Sequence, residues 1–106
     1  MDPKIKRLVE QVRAFLHERY DAGIKRVILY GSHARGEATT DSDVDVLVLT
    51  DPSLNPSEVR ESLSDLLYDI ILEEGELVSV VAVSEEHFEN YNSPFMLNVK
   101  KEGMVV

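Results

Sequence analysis

Three short, β-branched apolar runs, spaced by segments of helical length, constrain this chain more than anything else in it. They are RVILY at Arg26–Tyr30, VDVLVLT at Val44–Thr50 and LVSVVAV at Leu77–Val83. Each is strand-sized, bounded by glycine or polar turn residues, and rich in the side chains that suit a pleated, buried surface. The third is apolar almost without interruption, which predicts a strand that is central or covered on both faces. A helix-length stretch between the second and third runs permits a parallel crossover. The polar segment GSHARGEATTDSD between the first and second has room for one short helix and permits an antiparallel pairing, so a mixed sheet is expected.

The spacer segments read as helices. Apolar residues recur at Ile5, Leu8, Val9, Val12, Phe15 and Leu16, the period of an amphipathic helix from Pro3 to about Tyr20. Asp2 is placed to cap it, Pro3 to start it and Gly23 to stop it. A second long helix is predicted from Pro56 to Glu74: Asn55, Pro56 and Glu58 form a start signature, and Val59, Leu63, Leu66, Leu67, Ile70 and Ile71 form its stripe. Ser84 opens a short helix to about Asn90. Ser93 and Pro94 open another to Glu102, closed by Gly103 and followed by the apolar tail Met104-Val105-Val106. The order α-β-α-β-α-β-α predicts one α/β domain over residues 1–106, a small sandwich with a mixed sheet flanked by helices.

Charge narrows the function. Twenty Asp and Glu against 11 Lys and Arg give −9, and the imbalance is uneven. Residues 1–36 hold eight bases and four acids, whereas residues 37–99 hold fifteen acids and one base, Arg60. Such a chain is not expected to bind nucleic acid directly or to lie on an anionic membrane. The bases of the first helix are scattered around its polar arc, as on a solvated face. Cysteine is absent, which excludes disulfides and thiolate metal sites and fits a reducing cytoplasm. The opening residues lack the apolar core of a signal peptide, and no run is long enough to span a membrane.

Chemistry concentrates between Gly31 and Asp45. Gly31 follows a buried strand directly, and Ser32 begins a turn into a short helix. Glycine there lets backbone approach a ligand, the exposed N–H groups attract anions, and the Ser32 hydroxyl adds a donor. Arg35 has two open uses, a phosphate contact or an ion pair with Glu37 or Asp41. Asp43 and Asp45 stand two residues apart at a strand mouth, roughly 6.5–7 Å along the chain and on one face. Two carboxylates so placed repel each other unless solvated or neutralised, and they suit a hard cation such as Mg²⁺ that also meets substrate phosphates. His17 and His87 have no metal-ligand spacing, His33 reads as a loop residue, and Tyr30 reads as core. Phe95, Met96, Leu97 and Val99 cover the sheet or form a docking surface.

The unit as a whole, Gly31-Ser32, ten residues, then Asp43-Val44-Asp45, resembles the minimal nucleotidyltransferases (the MNT domain) of the DNA polymerase β-like superfamily. It is most similar to their antitoxin branch, the partners of HEPN-domain toxins, and the likeness extends from the first helix to SPFMLNVKKEG. The resemblance implies a polymerase β-like fold and Mg²⁺-dependent transfer of a nucleoside monophosphate, AMP from ATP, to a hydroxyl. Gly31 and Ser32 would hold the β- and γ-phosphates, with Arg35 as a further phosphate contact. Asp43 and Asp45 would be the catalytic metal ligands. A tyrosine of a HEPN toxin ribonuclease would be the acceptor, its modification silencing the toxin. One departure stands out. Active relatives carry a third carboxylate on the next strand, and here that position is Ser79. Glu76 is nearby but turned to the opposite face by strand alternation. A second function is therefore open, an antitoxin that neutralises its partner by binding alone.

Overall fold

A computed structural model describes residues 2–106. Helix α1 spans Pro3–Tyr20, and a single 3-10 turn, Asp21–Gly23, leads into strand β1, Ile24–Tyr30. The short helix α2, Ser32–Arg35, precedes β2, Val44–Thr50. Helices α3, Pro56–Glu61, and α4, Ser64–Glu74, lead to β3, Val78–Ser84. Helices α5, Glu85–Asn90, and α6, Pro94–Glu102, precede a two-residue strand β4, Met104–Val105. The expected caps form: Asp2, Asn55, Ser84 and Ser93 each accept a backbone N–H from the first turn of the helix they open.

The sheet is mixed, in the order β3-β2-β1-β4. β1 and β2 are antiparallel, as the short connection permits, while β2 and β3 run parallel. Alternation along the strands sorts the core into two layers. Val27, Leu29, Val44, Val46, Val48, Val78 and Val80 face α1, α3 and α4, where Leu8, Val12, Leu16 and Leu63 are fully buried. Ile28, Leu47 and Leu49 face α5 and α6, against Phe88, Met96 and Val99. Both faces of β2 are thus sealed. Of the terminal apolar group, Met96 and Val99 are core, Phe95 packs edge-on to Tyr30 at 5.4 Å, and Leu97 is exposed.

One expectation needs correction, and two further points are settled by the fold. The helix expected from Pro56 to Glu74 is two helices, broken at Ser62-Leu63. The Ser62 hydroxyl donates to the Val59 carbonyl at 2.6 Å, and Leu63 N–H reaches back only to Arg60. A serine bonding its own backbone competes with the helical ladder, and the resulting bend sends Leu63 into the core. Of the two positions open to β3, it takes the edge of the sheet with cover on both faces, which accounts for its apolar residues. The C-terminal apolar tail supplies a fourth strand: Met104 and Val105 pair with Leu29 and Ile28 of β1, and Val106 N–H bonds the Val27 carbonyl. Among the described residues, no helix is long and apolar enough to cross a membrane.

Candidate functional site

At one end of the sheet β1 leaves while β2 and β3 enter, so three strand termini meet. Register places Tyr30 opposite Asp45 and Asp45 opposite Ser79. Side chains paired across strands share a face, so Tyr30, Asp45 and Ser79 form a row on the α5–α6 side of the sheet. Asp43 lies two residues before Asp45, just outside the strand and exposed. The carboxylates are close enough to influence each other. Burial first, and then the charge of Asp43, raise the Asp45 pKa above its ordinary value, opposed by His33 and Arg35. Burial and the Asp45 charge push the Tyr30 phenol up in turn, so it faces the carboxylate as a neutral hydroxyl.

Gly31 closes the row from above. Its φ is +77°, a conformation that costs other residues strain, and a Cβ built on it would collide with Asp45 Oδ2. The chain therefore needs glycine there for two reasons, its backbone angle and the carboxylate packed on it. The turn continues into α2, whose Ala34 and Arg35 N–H groups both return to the Gly31 carbonyl at 3.1 Å. Gly31, Ser32, Asp43 and Asp45 are thus brought to one corner of the fold, as their spacing predicts.

Arg35 is held differently. Its guanidinium pairs with Glu37 at 2.9 Å and with Glu102 of α6 at 3.1 Å. Glu37 was one of the partners open to it; Glu102, distant in sequence, was not visible beforehand. These pairs are exposed and contribute little to folding. Replacing Arg35 with Gln is expected to leave the melting temperature almost unchanged, measured by thermal unfolding.

Ser79 occupies the position beside Asp45 where a third carboxylate would complete the row. Glu76 does not substitute, since it lies on the α1 side and bonds Lys4 at 3.3 Å. Among the described residues, no third His, Cys, Asp or Glu joins the two aspartates in a metal-holding group. Two hard oxygen donors that repel each other still match what Mg²⁺ takes from a protein, so the donor set fits one such cation. An open cleft of about 570 Å³ lies between α1 and the α2–β2 loop, lined in part by Ile5, His33, Thr39 and Glu76. Neither aspartate borders it. We place the chemistry at the carboxylate row, because the cleft brings no comparable set of groups together.

Sequence reasoning assigned Tyr30 to the core and His33 to an exposed loop. Tyr30 does pack on the α5–α6 core layer and also stands beside Asp45, while His33 Nε2 is buried without a hydrogen-bond partner. The signal for Tyr30 was available in principle: antiparallel pairing across the Gly31–Asp43 connection brings the last residue of β1 to the mouth of β2.

Residues 9–102 match the family model of the nucleotidyltransferase domain. The chain belongs to that family. This nucleotidyltransferase is 35% identical over 92 residues to the Methanocaldococcus jannaschii protein "Putative protein adenylyltransferase MJ0604", covering 86% of each chain. A second protein of that organism and description, MJ1379, is 33% identical over 76 residues, 64% of this chain and 74% of the relative. The fold is shared with crystal structures of toxin–antitoxin complexes. One, with AMP-PNP, aligns at TM-score 0.59 and 18% identity over 91% of this chain and 70% of the other. Another, a double mutant of the toxin–antitoxin MntA-HpeT, aligns at 0.60 and 17%, with the same coverage. The mixed sheet with flanking helices is thus the nucleotidyltransferase fold, and the chain is a nucleotidyltransferase enzyme.

Proposed function

We propose that this nucleotidyltransferase moves AMP from ATP, with Mg²⁺, onto a tyrosine hydroxyl of a partner HEPN-domain toxin, and so acts as its antitoxin in the cytoplasm. The observation that carries this is the contact of the Gly31 turn with the Asp45 carboxylate. It sets an anion-attracting backbone directly against a cation-attracting group, the pair of features a metal-bound triphosphate needs. Relatives described as protein adenylyltransferases support the donor and the transfer. Toxin–antitoxin complexes of the same fold, one carrying an ATP analogue, support the setting.

In this account Gly31 and Ser32 hold the β- and γ-phosphates, and Arg35 turns from Glu37 to a phosphate oxygen. Asp43 and Asp45 would hold Mg²⁺, which would supply charge neutralisation at the triphosphate. The acceptor oxygen bonds the α-phosphorus while the bond to the bridging oxygen breaks. Ser79 offers no carboxylate base, so the hydroxyl proton passes to solvent. Mass spectrometry of the toxin after incubation with this protein, ATP and Mg²⁺ tests the proposal: an AMP adduct on tyrosine is expected, and an unmodified toxin contradicts it.

Ser79 also motivates the second possibility, inhibition by binding alone. It makes a distinct expectation. Ser79→Asp adds a third carboxylate to the row and is expected to raise Mn²⁺ binding from one ion per chain to two, counted by electron paramagnetic resonance, with a lower melting temperature when metal is absent. An unchanged count would mean that the Ser79 position does not govern metal occupancy.

A further inference from the structure

We propose that the exposed face of α4 is where the partner protein docks, and that the surface it receives there has an apolar centre and a cationic rim. The identity of that partner rests on the toxin–antitoxin function proposed above; the surface itself is argued from the fold. Tyr68 and Leu72, one turn apart, are 60% and 65% exposed, and Ile71 beside them is 40% exposed. Helix α4 fully buries Ile70 alone. An amphipathic helix ordinarily hides its large apolar residues, so a stripe left in water marks a contact surface.

Charge identifies the occupant. Asp65, Asp69 and Glu73 follow one another at i, i+4 and i+8 along one border of the stripe. All three are exposed, and among the described residues none of them is in an ion pair. The only base on α3 or α4 is Arg60, and its guanidinium is committed to the Val80 carbonyl of β3 at 2.9 Å. That border of the stripe is therefore acidic along its length, the bases Lys4 and Arg7 of α1 meeting α4 only at Glu74. A symmetric contact with a second copy would bring these carboxylates against their own equivalents. Addition of a partner strand to the β3 edge is opposed by Arg60, which already occupies an outward carbonyl. A protein that binds RNA phosphates must itself be cationic, so a ribonuclease toxin supplies the complementary charge.

Isothermal titration with the purified partner toxin of the proposed function tests this. Tyr68→Ser with Leu72→Asp is expected to weaken binding at least tenfold, as is the charge reversal Asp69→Lys with Glu73→Lys. Thermal unfolding should show each variant folded, and Tyr91→Ser, an equally exposed tyrosine on another surface, should bind like the original chain. Undiminished affinity in both paired variants would overturn the docking surface while leaving the function standing. No binding by the original chain would overturn both. A dimer in sedimentation velocity that Leu72→Asp disperses would assign the face to a second copy and overturn the proposed occupant.

Discussion

Asp45→Asn is expected to reduce nucleotidyl transfer about a thousandfold and, in the same molecule, to make the metal-free protein more stable at neutral pH. The two effects share one cause. Burial and the neighbouring Asp43 raise the Asp45 pKa in the folded chain, so folding favours the protonated group. That contribution is complete below the unfolded pKa and is lost as pH rises through the raised folded value. At neutral pH the ionised carboxylate is therefore a cost, which Asn removes at nearly the same shape. Asp45 is partly exposed and solvent screens much of the effect, so the gain is modest, on the order of 1–3 °C in melting temperature. If Asp45 holds the metal as proposed, its loss forfeits several kcal/mol of charge stabilisation in the transition state, roughly the thousandfold expected. Mg²⁺ with ATP should raise the melting temperature of the original chain and leave Asp45→Asn unmoved. A variant that loses activity without gaining stability would contradict this account of Asp45.

Gly31→Ala should produce the opposite pairing, a loss of both stability and activity. Alanine at φ +77° costs about 1–2 kcal/mol from backbone strain. Its Cβ also displaces the Asp45 carboxylate, so the turn and the metal ligand cannot keep their contact. We expect a melting temperature lowered by about 4–10 °C and transfer reduced at least a hundredfold, since small misplacements of reacting groups carry penalties of that order. Gly36→Ala provides the comparison. Gly36 also has positive φ, +73°, but nothing lies within 4 Å of the added methyl. It should share the strain and spare most of the activity. Equal activity losses in the two variants would show that strain alone, and not the contact with Asp45, explains the defect.

Much of this was legible in the sequence because it depends on local order. The spacing of Val44, Val46 and Val48 against Asp43 and Asp45 fixes opposite faces of one strand. The short Gly31–Asp43 link permits antiparallel pairing, and capping residues mark the starts of four helices. What escaped depends on partners distant along the chain. The break at Ser62 arises from a side chain bonding its own backbone, which apolar periodicity does not register. The edge position of β3 was hidden because an edge strand covered on both faces is as apolar as a central one. Tyr30 looked like core because its environment is set by Asp45 across the sheet and by Phe95 from α6. Arg35 found Glu102 sixty-seven residues away, a pairing that only the folded chain creates.

The central claim is that the row formed by Asp43, Asp45 and the Gly31 turn transfers the nucleotide and not a phosphate. Parallel reactions with ATP labelled at the α- or the γ-phosphate, Mg²⁺ and the partner toxin test it most directly. The account predicts that α-label becomes attached to the toxin, that γ-label leaves in pyrophosphate, and that Asp43→Asn and Asp45→Asn eliminate the transfer. Tight complex formation with neither label on the toxin, unchanged in both variants, would contradict it.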